Sequence, residues 1–367
     1  MLGQMSQTRT VSTKHHDLRI ETVAAGLENP WGIALLPDGR FLVTERNSGR
    51  LRLGSRDGEL SSPIEGTPRV FRFQGDEGSQ AGMFDVRLDL DFAANRRIYL
   101  SYAKPTDSGA AVCIDRAELD EAGRLSAVTT IFEMNRADQD SSSLHFGGRI
   151  AIHPVDGHIF ITVGDRRNMN RAQSTHDQAG TVLRMTTDGD APADNPFFGR
   201  EGFDPYTYSY GHRNSQGLAF DPVRLDLWEN EHGPQGGDEL NLIRAGGNYG
   251  WPFTTAGLDY SGAPIGVGRE MEGMIAPVHD FPGTLAPSGL VVVRGDLFGK
   301  WNGDVLNGGL VSEMIARVRI EDGAVVEEEA IPIGRRVRDL VLAADGSIWL
   351  VTDHEDGEVL RITPAGG

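Results

Sequence analysis

Apolar and polar residues alternate with a period of two through much of the chain, and Gly-, Asp- and Asn-rich turns interrupt the alternation. The stretch WGIALLPDGRFLVTERNSGRLRL, residues 31–53, reads as a strand, an Asp-Gly turn, a second strand, a Gly turn and a third strand. The theme recurs in GGRIAIHPVDGHIFITVGD and in VRDLVLAADGSIWLVTDHEDGEVLRIT. Looser copies are GMFDVRLDLDFAANRRIYLSYA, SQGLAFDPVRLDLWENEHG and SGLVVVRGDLFGKWNGDVLNGGL. Six copies spaced by roughly 50 to 75 residues predict an all-β fold, a six-bladed β-propeller of four-stranded antiparallel blades. Radial closure leaves only short, protected strand edges, and a two-sandwich arrangement is the alternative. The propeller is expected to span residues 17–367, behind a disordered or added N-terminal extension over 1–16. Residues 104–144, 164–180, 186–210 and 251–287 read as long loops, where function tends to concentrate.

Composition agrees with this picture. The 47 glycines and 18 prolines suit a turn-rich β protein better than a helical one. No apolar run is long enough to span a membrane. The net charge of −18, with no Lys/Arg-rich block, argues against nucleic acid as a partner and makes any local arginine cluster informative. A single cysteine, Cys113, rules out an intramolecular disulfide and leaves the redox compartment open. The first residues lack the continuous apolar stretch of a secretory signal, so the sequence alone does not choose between cytoplasm and export.

A propeller binds ligands where its inner strands enter one mouth of the channel. By position, that mouth should be lined by Trp31, Gln80, His145, Arg213, Asn214, Pro287 and Arg336 to Arg338. If Val155 and Asp156 form the turn of the third copy, positions summing to about 311 face each other. His145 and Asp165 then lie nearly opposite, within reach of a carboxylate–imidazole hydrogen bond that would orient the histidine as a base and raise its pKa. A strand-end histidine satisfied by a neighbour is the plainer alternative. Gly147 and Gly148 allow close approach to the backbone beside it.

Arg336 and Arg338, two apart on one strand face, converge with Arg213 toward the same mouth, as a pocket for a small multi-carboxylate anion would require. Exposed strand arginines are also common. The segment ENEHGPQGGDELNLIRAGGNYGWP, residues 229–252, offers carboxylates and Gly/Pro carbonyls of the kind calcium takes, without EF-hand spacing. There is no G-x-G-x-x-G opening a helix, no Walker A, no H-E-x-x-H, no paired C-x-x-C and no G-x-S-x-G. Nucleotide cofactors, structural zinc and an α/β-hydrolase are therefore not expected.

Together LHFGGR, YSYGHRNSQGLAF, NEHGPQGGDE, GGNYGWP and RVRDL resemble, in order and across nearly the whole chain, the soluble PQQ-dependent aldose sugar dehydrogenases of the glucose/sorbosone dehydrogenase family. The resemblance implies a propeller that holds pyrroloquinoline quinone (PQQ) over the channel mouth with calcium. It implies His145 as general base for oxidation of an aldose at C1 to the lactone, and Asp165 as its orienting carboxylate. By the same resemblance Gln80, Arg213, Asn214, Tyr260, Arg336 and Arg338 contact the cofactor. Gly233 and Pro234 supply carbonyls to a cofactor-side calcium, and Glu239 and the Tyr249 carbonyl serve a second, structural calcium. It further implies an aldose sugar as substrate, an electron acceptor whose identity the sequence does not disclose, and a periplasmic or secreted location; the sequence does not give the oligomeric state, for which a monomer is favoured.

Three positions depart from the family's pattern. Val311, in GGLVSEM, stands where relatives commonly carry a lysine that approaches the cofactor. Ser215 replaces a usual proline, and His232 a glutamine of some relatives. Two other functions remain on the table at this point: a calcium-dependent sugar lactonase-type hydrolase, and a non-catalytic carbohydrate- or protein-binding propeller.

Overall fold

The alternating runs form antiparallel strands that group into six sheets, seen here in a computed structural model that describes residues 8–73 and 78–366. Blade 1 comprises Pro30–Leu35, Phe41–Glu45 and Arg50–Gly54. Blade 2 is Met83–Leu88, Arg97–Thr106, Gly109–Leu119 and Leu125–Glu133. Blade 3 is Ile150–Ile152, Ile159–Val163, Thr181–Met185 and Thr207–Tyr210. Blade 4 is Ser215–Phe220, Leu227–Glu231, Glu239–Ile243 and His279–Asp280. Blade 5 is Pro287–Val292, Val305–Gly309, Met314–Glu321 and Ala324–Pro332. Blade 6 joins Val337–Leu342, Ile348–Thr352 and Gly357–Pro364 to Asp17–Leu27 and Thr8–Ser12. The first strand of each blade packs against the first strands of its two neighbours, which closes the ring into a six-bladed propeller.

Three expectations need correction. Two blades depart from four strands: blade 1 has three, with Leu60 bridging Gly54 at its edge, and blade 6 has five. Residues 8–16 are not a disordered extension, because Thr8–Ser12 pairs with Asp17–Leu27, where Val11 packs on the apolar cluster of blades 5 and 6. Residues 1–7 lie outside the described residues. The supposed loop 104–144 is largely the long second blade, whose polar outer strand Leu125–Glu133 hid its period among exposed positions.

The blades are locked where inner strands meet. Asp85 and Asp339 occupy matching positions in blades 2 and 6, and each accepts an inner-strand N–H of the next blade, from Ile150 (2.9 Å) and Ile33 (3.1 Å). Between them lies the fully buried Arg149, 2.9 Å from Asp339, its guanidinium over the Trp31 ring at 3.9 Å. Buried charges are retained only when paired in this way, and this lock forms the floor on which the site is built.

Candidate active site

The register of the third blade follows from its turn. Ile150, Ala151 and Ile152 pair with Ile161, Phe160 and Ile159, as a turn at Val155-Asp156 dictates. Just beyond the strands, His145 Nδ1 lies 2.6 Å from Asp165 Oδ1. The two residues are nearly opposite, but no sheet pairing joins them; His145 sits at φ +51°, and Gly147 and Gly148 also have positive φ. The strained segment is held from outside. Gln80 Oε1 accepts the His145 backbone N–H (2.9 Å). The Arg166 guanidinium, buried over the Phe146 ring at 3.5 Å, donates to the Leu144 and Ser142 carbonyls.

Asp165 is itself fixed. Its Oδ2 accepts the Trp251 indole N–H at 2.8 Å, and its Oδ1 also accepts the Arg167 backbone N–H at 2.8 Å. Against the opposing effect of burial, the hydrogen bond and charge of His145, the charge of Arg213 and the Trp251 N–H hold its carboxyl below the ordinary value. His145 moves the other way from expectation. Burial lowers its pKa, outweighing the hydrogen bond and charge of Asp165, and the nearby Arg213 and Arg167 add to the fall. The result is a neutral imidazole that donates from Nδ1 to Asp165, leaving Nε2 with no hydrogen-bond partner among the described residues.

Beside this pair lies a cavity of about 240 Å3 lined by Trp31, Gln80, Gly147, Gln216, His232 and Val311, with three guanidinium groups on its wall: Arg46, Arg336 and Arg338. Arg338 reaches Asp353 through Nε (3.2 Å) and Nη2, and Gln216 Oε1 through Nη1 (3.1 Å). Arg336 Nη2 stands 3.7 Å from the same Asp353. Asn214 connects to this wall by accepting from Gln216 Nε2 (3.1 Å). Arg213 does not line the cavity. Its Nη1 donates to the Gly233 carbonyl (2.6 Å), and its Nη2 contacts the hydroxyl of the exposed Tyr260 (3.4 Å). His232, held neutral with a pKa pushed down to about 3 by burial, has Nε2 on the Pro287 carbonyl at 2.7 Å.

The other candidate ligand residues separate into two places. Gly233 and Pro234 lie by Arg213, and no N–H among the described residues donates to the Pro234 carbonyl. Glu239 lies at the seam between blades 3 and 4. There it pairs in register with Glu231, while Glu229 pairs with Asn241. His212, Glu229 and Glu231 bring ligand atoms within 4.8 Å of one another. Burial and mutual repulsion push the carboxyls of Glu229 and Glu239 well up. Glu229 Oε1 and Asn241 Oδ1 are buried without a hydrogen-bond partner. Tyr249 stacks on the His212 ring at 4.7 Å, and its carbonyl accepts no hydrogen bond among the described residues.

Sequence reasoning gave no role to Arg46, Trp251 or His212, and took Glu229 and Glu231 only as part of the acidic segment 229–252. Arg46 and Trp251 precede no inner strand, so position gave no cue. The alternation Leu227, Glu229, Glu231 did place two carboxylates on one strand face, which was a usable signal.

A ring of blades with an oriented neutral histidine and a guanidinium-rich pocket at one mouth is the architecture of a propeller enzyme. Residues 27–361 match the family described as Glucose / Sorbosone dehydrogenase. The chain belongs to that family, whose members are oxidoreductases of the sugar dehydrogenase class. It is 34% identical over 353 residues to aldose sugar dehydrogenase YliI of Escherichia coli K12, covering 95% of this chain and 93% of that one. It is 31% identical over 280 residues to quinoprotein glucose dehydrogenase B of Acinetobacter calcoaceticus, covering 70% of this chain and 56% of the other. The PQQ-bound form of aldose sugar dehydrogenase from Streptomyces coelicolor superposes with a TM-score of 0.75 at 28% identity, over 98% of both chains.

Proposed function

We propose that the protein oxidises aldose sugars at C1 to the lactone, using PQQ as cofactor and calcium as its companion ion. One observation carries this reading: an oriented neutral imidazole, His145 on Asp165 at 2.6 Å, beside a cavity walled by three guanidinium groups that share one carboxylate. Such a wall suits PQQ, a flat tricarboxylate, better than an uncharged lactone, which favours oxidation over the hydrolase alternative.

The residues present fit both groups. Gln80, Arg336 and Arg338 would face PQQ from the cavity wall, with Arg213, Asn214 and Tyr260 at its margin. The carbonyls of Gly233 and Pro234 would serve a cofactor-side calcium. Glu239 and the Tyr249 carbonyl would serve a structural one, with the orphaned Glu229 and Asn241 oxygens beside them. When bound, PQQ supplies the two-electron acceptor for the C1 hydride, and calcium supplies Lewis acidity.

The protein's own part is proton transfer and positioning. His145 Nε2 takes the proton of the C1 hydroxyl as the C1–H bond breaks, so the C1–O single bond becomes the lactone carbonyl. Asp165 fixes the tautomer and steadies the imidazolium that forms, and Trp251 fixes Asp165. Arg213, over the Trp251 ring at 5.4 Å, adds positive charge beside the His145–Asp165 pair.

The test is reconstitution of purified protein with PQQ and Ca2+, followed by dye reduction with glucose, galactose and xylose. The expected result is saturable PQQ binding below about 10 µM and sugar-dependent turnover. Absence of PQQ binding would sink the reading.

A further inference from the structure

Three guanidinium groups converge on Asp353, and they do not share it equally. Arg338 takes Oδ2 by two hydrogen bonds and Arg336 stands at 3.7 Å. Arg46 is left at 4.0 Å from Oδ1, an oxygen that already accepts Asn29 Nδ2 at 3.2 Å. Among the described residues neither Nη of Arg46 has a hydrogen-bond acceptor, although its side chain is only 14% exposed. A guanidinium buried to this degree, whose terminal nitrogens meet Asp353 only at 4.0 Å, gains from an anion that completes their hydrogen bonds.

The side chain is also aimed. Arg46 follows the second strand of blade 1, its backbone N–H donating to the Asn29 carbonyl (3.1 Å) and its carbonyl accepting from Met83 N–H in blade 2 (3.0 Å). Its Nε donates to Asn47 Oδ1 (3.1 Å), and Asn47 in turn donates to Asn29 Oδ1 (2.8 Å). This chain of amides holds one edge of the fork and leaves the terminal nitrogens toward the cavity that Arg46 lines. Burial pushes the Arg46 pKa down to about 10, with Asp353 opposing and Arg338 and Arg336 adding to the fall, so the group is still charged at neutral pH. The cavity wall also includes Val311, which is 59% exposed and brings no charge.

We propose that Arg46 is a cofactor-binding residue, the guanidinium that engages a carboxylate of the PQQ seated in this cavity. The proposal rests on the PQQ reading above. It assigns to blade 1 a cation that completes the wall formed by Arg336 and Arg338 of blade 6.

The test is equilibrium binding of PQQ to the full apo protein, followed by quenching of tryptophan fluorescence, with Tm recorded for each variant. Arg46→Gln should raise Kd by roughly 10–100-fold and flatten the salt dependence of binding. Arg46→Lys, which keeps the charge but loses the fork, should fall between Gln and the parent. The trimethyl ester of PQQ, lacking the carboxylate charges, should not distinguish parent from Arg46→Gln. A folded Arg46→Gln protein with the parental Kd overturns the assignment. So does an Arg46→Lys protein with parental Kd and salt dependence, should the Gln variant fail to fold. Failure of the parent itself to bind PQQ would instead overturn the underlying reading.

Discussion

The channel mouth and the seam between blades 3 and 4 carry opposite imbalances of buried charge. At the mouth, Arg46, Arg336 and Arg338 share one carboxylate, Asp353. In the seam, Glu229 and Glu231 stand around one imidazole, His212, and Glu239 pairs in register with Glu231. Consecutive residues divide the two regions: His212 turns to Glu231 (3.2 Å), while the side chain of Arg213 turns to the Gly233 carbonyl. The backbone N–H of Arg213 donates to Glu231, so one carboxylate joins both sides. Among the described residues, His212, Glu229 and Glu231 form the one group of three His, Cys, Asp or Glu side chains whose ligand atoms all lie within 4.8 Å of one another. The contrast teaches that the sign of the locally uncompensated charge decides which ligand a region suits, and it supports the proposed anion at the mouth and the proposed cation in the seam.

Four experiments would break or sharpen this division. The largest effect belongs to the mouth. His145→Ala should lower kcat by roughly 10²–10⁴-fold while PQQ affinity and Tm stay near the parent, and parental turnover would place the base elsewhere. Next comes the seam. Stripping calcium with a chelator should lower Tm by about 3–6 °C, and Glu229→Gln should remove that calcium dependence while leaving PQQ binding intact. Equal Tm with and without calcium in the parent would remove the cation from the seam.

A smaller effect is expected at Trp251. Trp251→Phe deletes the N–H on Asp165 and should cost about 1 kcal/mol, roughly a fivefold fall in kcat. The freed Asp165 holds the His145 proton more tightly, so the acid limb of the pH–rate profile should move upward. An unmoved limb would reduce Trp251 to packing. The smallest effect is the position of that limb in the parent. The base must be unprotonated to act, and burial holds its pKa below the ordinary 6.5. Activity should therefore be full at neutral pH and be lost only as pH falls below that value; a midpoint above 6.5 would mean that Asp165 outweighs burial.

How far the sequence could be read depended on whether a feature is local. The register Ile150–Ile161 follows from one turn, and it carried the reasoning as far as the His145–Asp165 hydrogen bond. The direction of the His145 shift did not follow, because it depends on how much protein surrounds the ring rather than on its one partner. Arg46 and Trp251 were invisible for a related reason. Each meets its partners across more than 80 residues of chain, Arg46 with Asp353 and Trp251 with Asp165. The strand Thr8–Ser12 is short and mostly exposed, so its alternation carried little apolar signal.

Pairing of Asp17–Leu27 with Gly357–Pro364 has a consequence for timing. On a ribosome, the segment that emerges early must wait for nearly the whole chain before it finds its neighbour. Arg46 and Trp31 belong to the first blade, Arg336 and Arg338 to the last. The cavity between them therefore comes into being only when the ring shuts, and the proposed cofactor would be loaded only onto a finished molecule.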